Sequence, residues 1–256
     1  MIEWLGKNLK KVEYMGRHFE VRAAAMAKTS AANAKLYSRH SKEIYVAAKS
    51  GEPDPDMNQT LKKAIERAKA NNIPADVIKR AIEKAKGGST ENYSSATYEG
   101  FGAGASTLII ECLTDNQNRT IADLRTAFNK SHAKLGVSGS VSFNYQHLGN
   151  IIIAYTDEET MLDTLIMADV DVKEIEVQGE NMQILVEPSD LYKAKEAIDE
   201  LIPGVTYDTL ELAMLPNEYC RLEGEDMVLF KRLLTLLDDV DDVQNVWHNV
   251  ENVNEE

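Results

Sequence analysis

Cysteine is scarce in this 256-residue chain: only Cys112 and Cys220 occur. They are far apart, with no Cys-x-x-Cys spacing and no histidine at ligand distance in sequence. That excludes a disulfide framework and argues against a zinc site, so both read as inert reduced thiols. Long hydrophobic runs are also missing, and nothing approaches the roughly 20 apolar residues of a membrane span. The opening stretch MIEWLGKNLKKVEY lacks the apolar core of a secretory signal, so a cytosolic location is expected.

Catalytic motifs are missing too. The five histidines (His18, His40, His132, His147 and His248) are scattered, and none stands beside Cys, Asp or Glu at metal-ligand spacing. There is no Gly-x-Ser-x-Gly elbow, phosphate-binding Walker loop or His-Glu-x-x-His helix. The aromatic signature of an RNA-recognition sheet is lacking as well. Gly100-Phe101-Gly102-Ala103-Gly104 precedes an apolar strand, whereas a dinucleotide fingerprint follows one, so the glycines read as a backbone bend. Asp54, Asp56 and Asn58 open like a calcium loop, but Gln59 and Ile65 stand where glycine and glutamate are required. No convergent nucleophile, base or metal set can be assembled. The expectation is a non-enzyme without metal or cofactor and with no small-molecule substrate.

What the sequence does have is an uneven distribution of charge. The formal net charge is −14, yet residues 1–90 hold 18 Lys+Arg against 10 Asp+Glu, a formal +8. Residues 91–256 hold 10 against 32, a formal −22. A basic end on an acidic protein is not needed for solubility. It points to a polyanionic partner for the first part, with the acidic remainder limiting non-specific contacts. Mutual attraction of the two ends is the competing explanation.

The basic end has a pattern. As one helix over 20–49, Lys28, Lys35, Arg39, Lys42 and Lys49 fall within a stripe roughly 80° wide. Leu36, Tyr37, Ile44, Ala47 and Ala48 lie on the opposite face, suited to burial. The stripe runs about 30 Å, close to one turn of a nucleic-acid duplex. Gly51, Pro53 and Pro55 stop that helix. A second helix is expected over 58–71 and a third after Pro74, ended by Gly87-Gly88. Lys62, Lys63, Lys79 and Arg80 lie on their outward faces.

From Glu91 the pattern becomes mixed. Strands are expected at 106–113, 139–145, 150–155, 172–178, 182–187, 206–213 and 243–250, and helices at 119–131, 158–168, 189–201 and 223–237. The economical arrangement is α+β: an N-terminal three-helix domain, then two split β-α-β, ferredoxin-like domains, one inserted in the other. The expected boundaries are an extension at 1–14, a basic helical domain at 15–90, an α+β domain at 91–148 plus 205–250, and an inserted domain at 149–204. The strand at 206–213 suits either α+β domain. The polar stretch Thr114–Thr120 offers a candidate site at Asn116, Asn118 and Arg119. Its other reading is local, with Asn118 capping the next helix and Asp115 and Asn116 forming turns. The run Asp238-Asp239-Val240-Asp241-Asp242 reads as a solvated turn in preference to a cation site.

Several segments together resemble the YebC/PmpR family. They are Gly51-Glu52-Pro53-Asp54-Pro55, Ala68-Lys69-Ala70-Asn71-Asn72-Ile73-Pro74, Tyr98-Glu99-Gly100-Phe101-Gly102, Glu111 through Thr120, and Gly139-Ser140-Val141. The resemblance implies the same three-domain plan. It also implies DNA-binding transcriptional regulation, while relatives include a mitochondrial translational activator of cytochrome c oxidase and bacterial members tied to ribosomes. The partner implied is nucleic acid, either DNA or ribosomal RNA, with the ribosome as a further candidate. At the start the chain departs from the family's Gly-(His/Arg)-x-Lys-Trp pattern, with Phe19 in place of Trp. The contacts it implies there fall on Arg17, His18 and Arg22.

Overall fold

Apolar residues recurring every three or four positions build the first described helix, α1, at 33–49. A computed structural model of the chain describes residues 33–87 and 92–253. Arg17, His18, Arg22 and Lys28 lie outside the described residues. So do positions 1–14 and the first part of the expected basic helix. By its internal contacts the chain divides into two units, one of residues up to Ser94 with Leu113–Asn116, the other of Ser95–Cys112 and everything from Gln117.

In the first unit α1 is followed by α2 (Gln59–Ala70) and α3 (Ala75–Lys86). Ile44, Ala47 and Ala48 of α1 pack with Leu61, Ala64, Ile65 and Ala68 of α2, and with Ile78 and Ala81 of α3. The small residues let the helix axes approach closely. The turn between α1 and α2 is organised by Asn58, whose side chain is buried. Its Oδ1 accepts from Leu61 N–H at 3.0 Å, the N-cap bond of α2, while its Nδ2 donates to the carbonyls of Ala47 at 2.8 Å and Glu52 at 2.9 Å. Gly51 is required by this knot, because a Cβ there would stand 2.9 Å from Asn58 Nδ2. The residue that mimics a calcium ligand in sequence is therefore a helix cap. Pro74 is the N-cap of α3, one position before the helix, and Gly87 its C-cap.

The second unit contains two four-stranded sheets. The first has the order β3-β1-β2-β8, from β1 (Ser94–Phe101), β2 (Thr107–Thr114), β3 (Lys134–Leu135) and β8 (Val243–His248). On it lie α4 (Gln117–Lys130) and α7 (Gly224–Asp238). Leu108, Ile110 and Cys112 of β2 meet Leu124 and Phe128 of α4 and Phe230, Leu233 and Leu237 of α7 in one core. Gly100 lies under Phe128, where a Cβ would stand 2.3 Å from the ring. The second sheet has the order β5-β6-β4-β7, all neighbours antiparallel, from β4 (Tyr145–Ala154), β5 (Val172–Gln178), β6 (Asn181–Val186) and β7 (Tyr207–Pro216). With α5 (Glu158–Met167) and α6 (Leu191–Leu201) it completes a split β-α-β, ferredoxin-like unit around Ile151, Ile153, Met182, Ile184 and Ile198.

The α+β class is thus as expected, and three strands are corrected. Ser94–Phe101 is a strand that the sequence reading passed over, since Ser94-Ser95-Ala96-Thr97 carries no apolar alternation. It pairs with β2 as a hairpin closed by Gly102 N–H on Ser106 O at 2.9 Å, so the glycine bend is the hairpin's turn. Residues 139–144 are not a strand but a loop ending in a 3₁₀ turn, Ser142–Asn144. β7 pairs with β4 from Tyr145↔Pro216 to Ile153↔Tyr207, so the strand provisionally placed at 205–250 with the first sheet belongs to the second. Among the described residues no helix is long and apolar enough to cross a membrane.

Replacing Asn58 with Ala removes the cap and takes the amide donor from the buried Ala47 carbonyl and from that of Glu52, together about 2 kcal/mol. Hydrogen exchange of the α2 amides should accelerate by roughly 30-fold, while amides of the two sheets keep wild-type rates. Asn58→Asp, which keeps the acceptor and loses the donor, should recover little of the protection.

Candidate nucleic-acid interface

Helix α1 fixes the basic stripe by burying its opposite side. Lys35, Arg39 and Lys42 are half-buried along the described helix, and Lys49 is exposed at its end. The stripe is tied into the domain. Lys49 Nζ donates to Tyr45 Oη at 3.2 Å and to Asn92 Oδ1 at 2.9 Å. Lys42 Nζ stands 5.7 Å from the centre of the Tyr93 ring, and the ammonium groups of Lys49 and Lys84 each lie 5.5 Å from that of Tyr45. The Tyr45 and Tyr93 rings meet edge to face, their centres 5.8 Å apart. Cation–π contacts of this kind hold the stems of the lysines without neutralising their charge.

Of the outward residues on α2 and α3, Lys62, Lys79 and Arg80 are exposed and Lys63 is half-buried. Lys79 faces Glu83 at 4.0 Å, and Arg80 Nε donates to the Asp76 carbonyl at 3.1 Å. Exposed Asp76 and Glu83 therefore alternate with the cations of α3, a mixed face poorly suited to reading base edges. A groove of about 280 Å³ on α2 and α3 has Ile78 and Ile82 among its lining, together with Lys69, Lys79 and Lys86. Sequence spacing gave no sign of it, because its lining comes from two helices. Not every cation serves a surface. Arg67 pairs with Glu43, which His40 also approaches at 3.6 Å. Burial opposes the charge on Glu43, but His40 and Arg67 outweigh it and hold its pKa below the ordinary value.

The polar stretch at 114–120 divides between a local turn and contacts reaching far along the chain. Thr114 Oγ1 accepts from Asn116 N–H at 2.9 Å, and α4 begins at Gln117, so Asn118 lies in its first turn and is not its cap. Arg119 donates through Nη2 to Asp242 Oδ2 at 2.8 Å, and Thr120 Oγ1 donates to the same oxygen at 2.9 Å. Asp242 is buried, which removes it from the solvated turn expected of the acidic run. Arg119 ties α4 to Asp242, the residue before β8. Among the described residues no three His, Cys, Asp or Glu side chains gather as a metal site would require.

A second buried carboxylate explains two of the sequence segments at once. Glu99, on β1, accepts from the backbone N–H groups of Gly139 at 2.7 Å, Val141 at 2.5 Å and Ser142 at 2.9 Å. Its own carbonyl accepts from Gly136 N–H at 2.7 Å. Burial favours the neutral acid, yet the three donors prevail and keep its pKa below the ordinary glutamate value. Tyr98-Glu99-Gly100 and Gly139-Ser140-Val141 are two halves of one clamp.

Comparison with known proteins agrees with this architecture. Residues 17–88 match the family described as the TACO1/YebC protein N-terminal domain, and residues 93–250 match the TACO1/YebC second and third domain. The chain belongs to the TACO1/YebC family. Family members of similar sequence include a probable transcriptional regulatory protein of Pseudoalteromonas translucida, 45% identical over 92% of this chain and 98% of that one. Another, from Saccharophagus degradans and of the same description, is 46% identical over 93% of this chain and 100% of its own. A crystal structure of a conserved hypothetical protein from Aquifex aeolicus is similar with a TM-score of 0.71 at 33% identity, covering 85% of this chain and 90% of that one. The YebC-type fold thus accounts for nearly the whole chain.

The clamp has a pH signature. Because the folded pKa of Glu99 lies below its unfolded value, its contribution is complete above the ordinary glutamate range and is lost as pH falls through the lower, folded value. Glu99→Gln should reduce stability at neutral pH by about 2 kcal/mol. Chemical denaturation at pH 7 and on the acid side should then show the difference between wild type and variant shrinking as the pH drops.

Proposed function

We propose that this protein is a non-enzymatic, cytosolic nucleic-acid-binding regulator of gene expression, acting through DNA as a transcriptional regulator. The observation that carries the reading is the basic stripe of α1, set opposite the buried face of the same helix within a part of the chain of formal charge +8. The description of the relatives as probable transcriptional regulatory proteins supports a regulatory role. In this reading Lys35, Arg39, Lys42 and Lys49 meet successive phosphates, with Lys28, Arg17, His18 and Arg22 prolonging the contact toward the N-terminus. Lys62, Lys63, Lys79 and Arg80 add contacts from the bracing helices. Such contacts position a protein on nucleic acid and carry little sequence information.

A second reading is a ribosome-associated translation factor whose helical domain meets ribosomal RNA. It is favoured by the mixed charge of the outward face of α3, which presents no uniform base-reading surface, since structured RNA is recognised largely by shape and backbone. In both readings the acidic remainder opposes non-specific attachment to polyanions.

If five phosphates of a duplex are neutralised, the logarithm of the binding constant should fall against that of salt concentration with a slope of about −4.5. Lys35→Glu/Arg39→Glu should weaken duplex binding at least tenfold and flatten the slope by about 2 or more. A slope near zero for the wild type would sink the phosphate reading. Sedimentation of cell lysate through sucrose gradients separates the two targets: salt-sensitive co-migration with ribosomes, lost in the double variant, selects the translation reading.

A further inference from the structure

Between Asp123 and Asp157 the chain runs for thirty-three residues without a carboxylate, although residues 91–256 hold 32 Asp and Glu. Lys130, His132 and Lys134 fall in this stretch, and all three are exposed. It is a basic island in the acidic part of the protein. Within it lies the loop of residues 136–144, which displays two large apolar side chains: Val137 is 78% exposed and Phe143 79%. Phe101, on the strand next to β3, is 38% exposed, pairs with Lys134, and has its ring within 3.4 Å of where a Gly136 Cβ would be.

Exposed apolar residues on a slack loop would mean little. This loop is held at Gly136, Gly139, Val141 and Ser142 by the backbone and carboxylate of a single buried residue, Glu99. Gly139 turns it with φ +84. The fold therefore presents an aromatic ring to solvent on a held loop, with cations close by in the chain and no acidic residue in the stretch 124–156 itself; exposed Glu218 follows Asn217, whose N–H donates to Asn144 O at 2.9 Å. A ring that stacks on bases, beside ammonium groups that meet phosphates, is how single-stranded nucleic acid is held without sequence preference. A basic protein segment would be drawn instead to the surrounding acidic surface.

We propose that the 136–144 loop is a stacking platform for unpaired bases, with Phe143 as the ring on which a base lies and Lys130 and Lys134 meeting the adjoining phosphates. The proposal rests on the nucleic-acid reading above but places a second contact outside the helical domain. It gives the acidic part of the chain a role in engaging a single-stranded segment.

The test uses the full-length protein, an oligouridylate of about 12 nucleotides and a duplex of about 20 base pairs. Wild type, Phe143→Ala, Phe143→Trp and Lys35→Glu/Arg39→Glu are titrated against both, with thermal unfolding of each recorded. Phe143→Ala should lose about tenfold in affinity for the oligouridylate, keep its duplex affinity, and unfold as the wild type does. Phe143→Trp should keep the affinity and show quenching on oligouridylate addition beyond that of wild type. The double variant should lose duplex binding and keep most of the single-strand affinity. Unchanged oligouridylate affinity in Phe143→Ala, or absence of extra quenching in Phe143→Trp, overturns the platform and leaves the face to a protein partner. Loss of duplex binding in none of the variants overturns the stripe instead, so the two failures are distinct.

Discussion

A buried glutamate carboxylate has to be satisfied by donors, and in this protein those donors are the main chain of a loop more than thirty residues away. Glu99 draws the N–H groups of Gly139, Val141 and Ser142 onto its oxygens. Those amides are thereby withdrawn from any strand pairing, which is why the segment turns through a 3₁₀ helix before β4 begins. Where β4 begins decides where the second sheet starts. Its first residue, Tyr145, donates its hydroxyl to Thr107 O at 2.9 Å, and its ring packs with Ile109, Val141, Met214 and Trp247. Burial pushes that phenol up to about 12, so it remains a donor at any physiological pH. The junction of the two sheets thus follows from one carboxylate and the backbone it collects.

The helical unit is organised by a neutral side chain. Asn58 can accept and donate together, and it uses both abilities to join the end of one helix to the start of the next. An aspartate would keep only half of that chemistry. Around this knot the domain carries an excess of cations, and it uses tyrosine faces and one half-buried acid, Glu43, to hold several of them. Each unit also holds an arginine–carboxylate pair: half-buried Arg67 with Glu43 in the first, and exposed Arg119 with buried Asp242 in the second.

Much of the fold was legible from periodicity and punctuation. Ile44, Ala47 and Ala48 marked the buried face of α1, and Pro74 and Gly87 marked the ends of α3 within a residue. The strands expected at 172–178 and 182–187 match β5 and β6 to within a residue. What escaped were features whose reason lies far away in the chain. β1 has too little apolar character to announce itself and is a strand because β2 and β3 flank it. Gly139–Asn144 has strand-like composition but spends its amides on Glu99. Asp242 looked solvated because three of its four neighbours in the run 238–242 are aspartates, yet Arg119 and Thr120 bond to it. The basic stripe was legible because it lies on one helix; the Glu99 loop and the groove on α2 and α3 were not, since each joins separate elements.

The pairing of Tyr145 with Pro216 means that the chain leaves the first sheet and returns to it through neighbouring strands. In polymer terms, β2 and β8, which pair Leu108 with His248, must otherwise close a very long loop. Once residues 145–216 have formed their own sheet, its two ends are pinned together and the loop left to close is shortened by about half. That lowers the entropic barrier by only about 0.6 kcal/mol, but it orders assembly: the local sheet can form first, and the discontinuous one is completed around its base. A fold that looks interrupted in sequence is, for a folding chain, a sequence of nested closures.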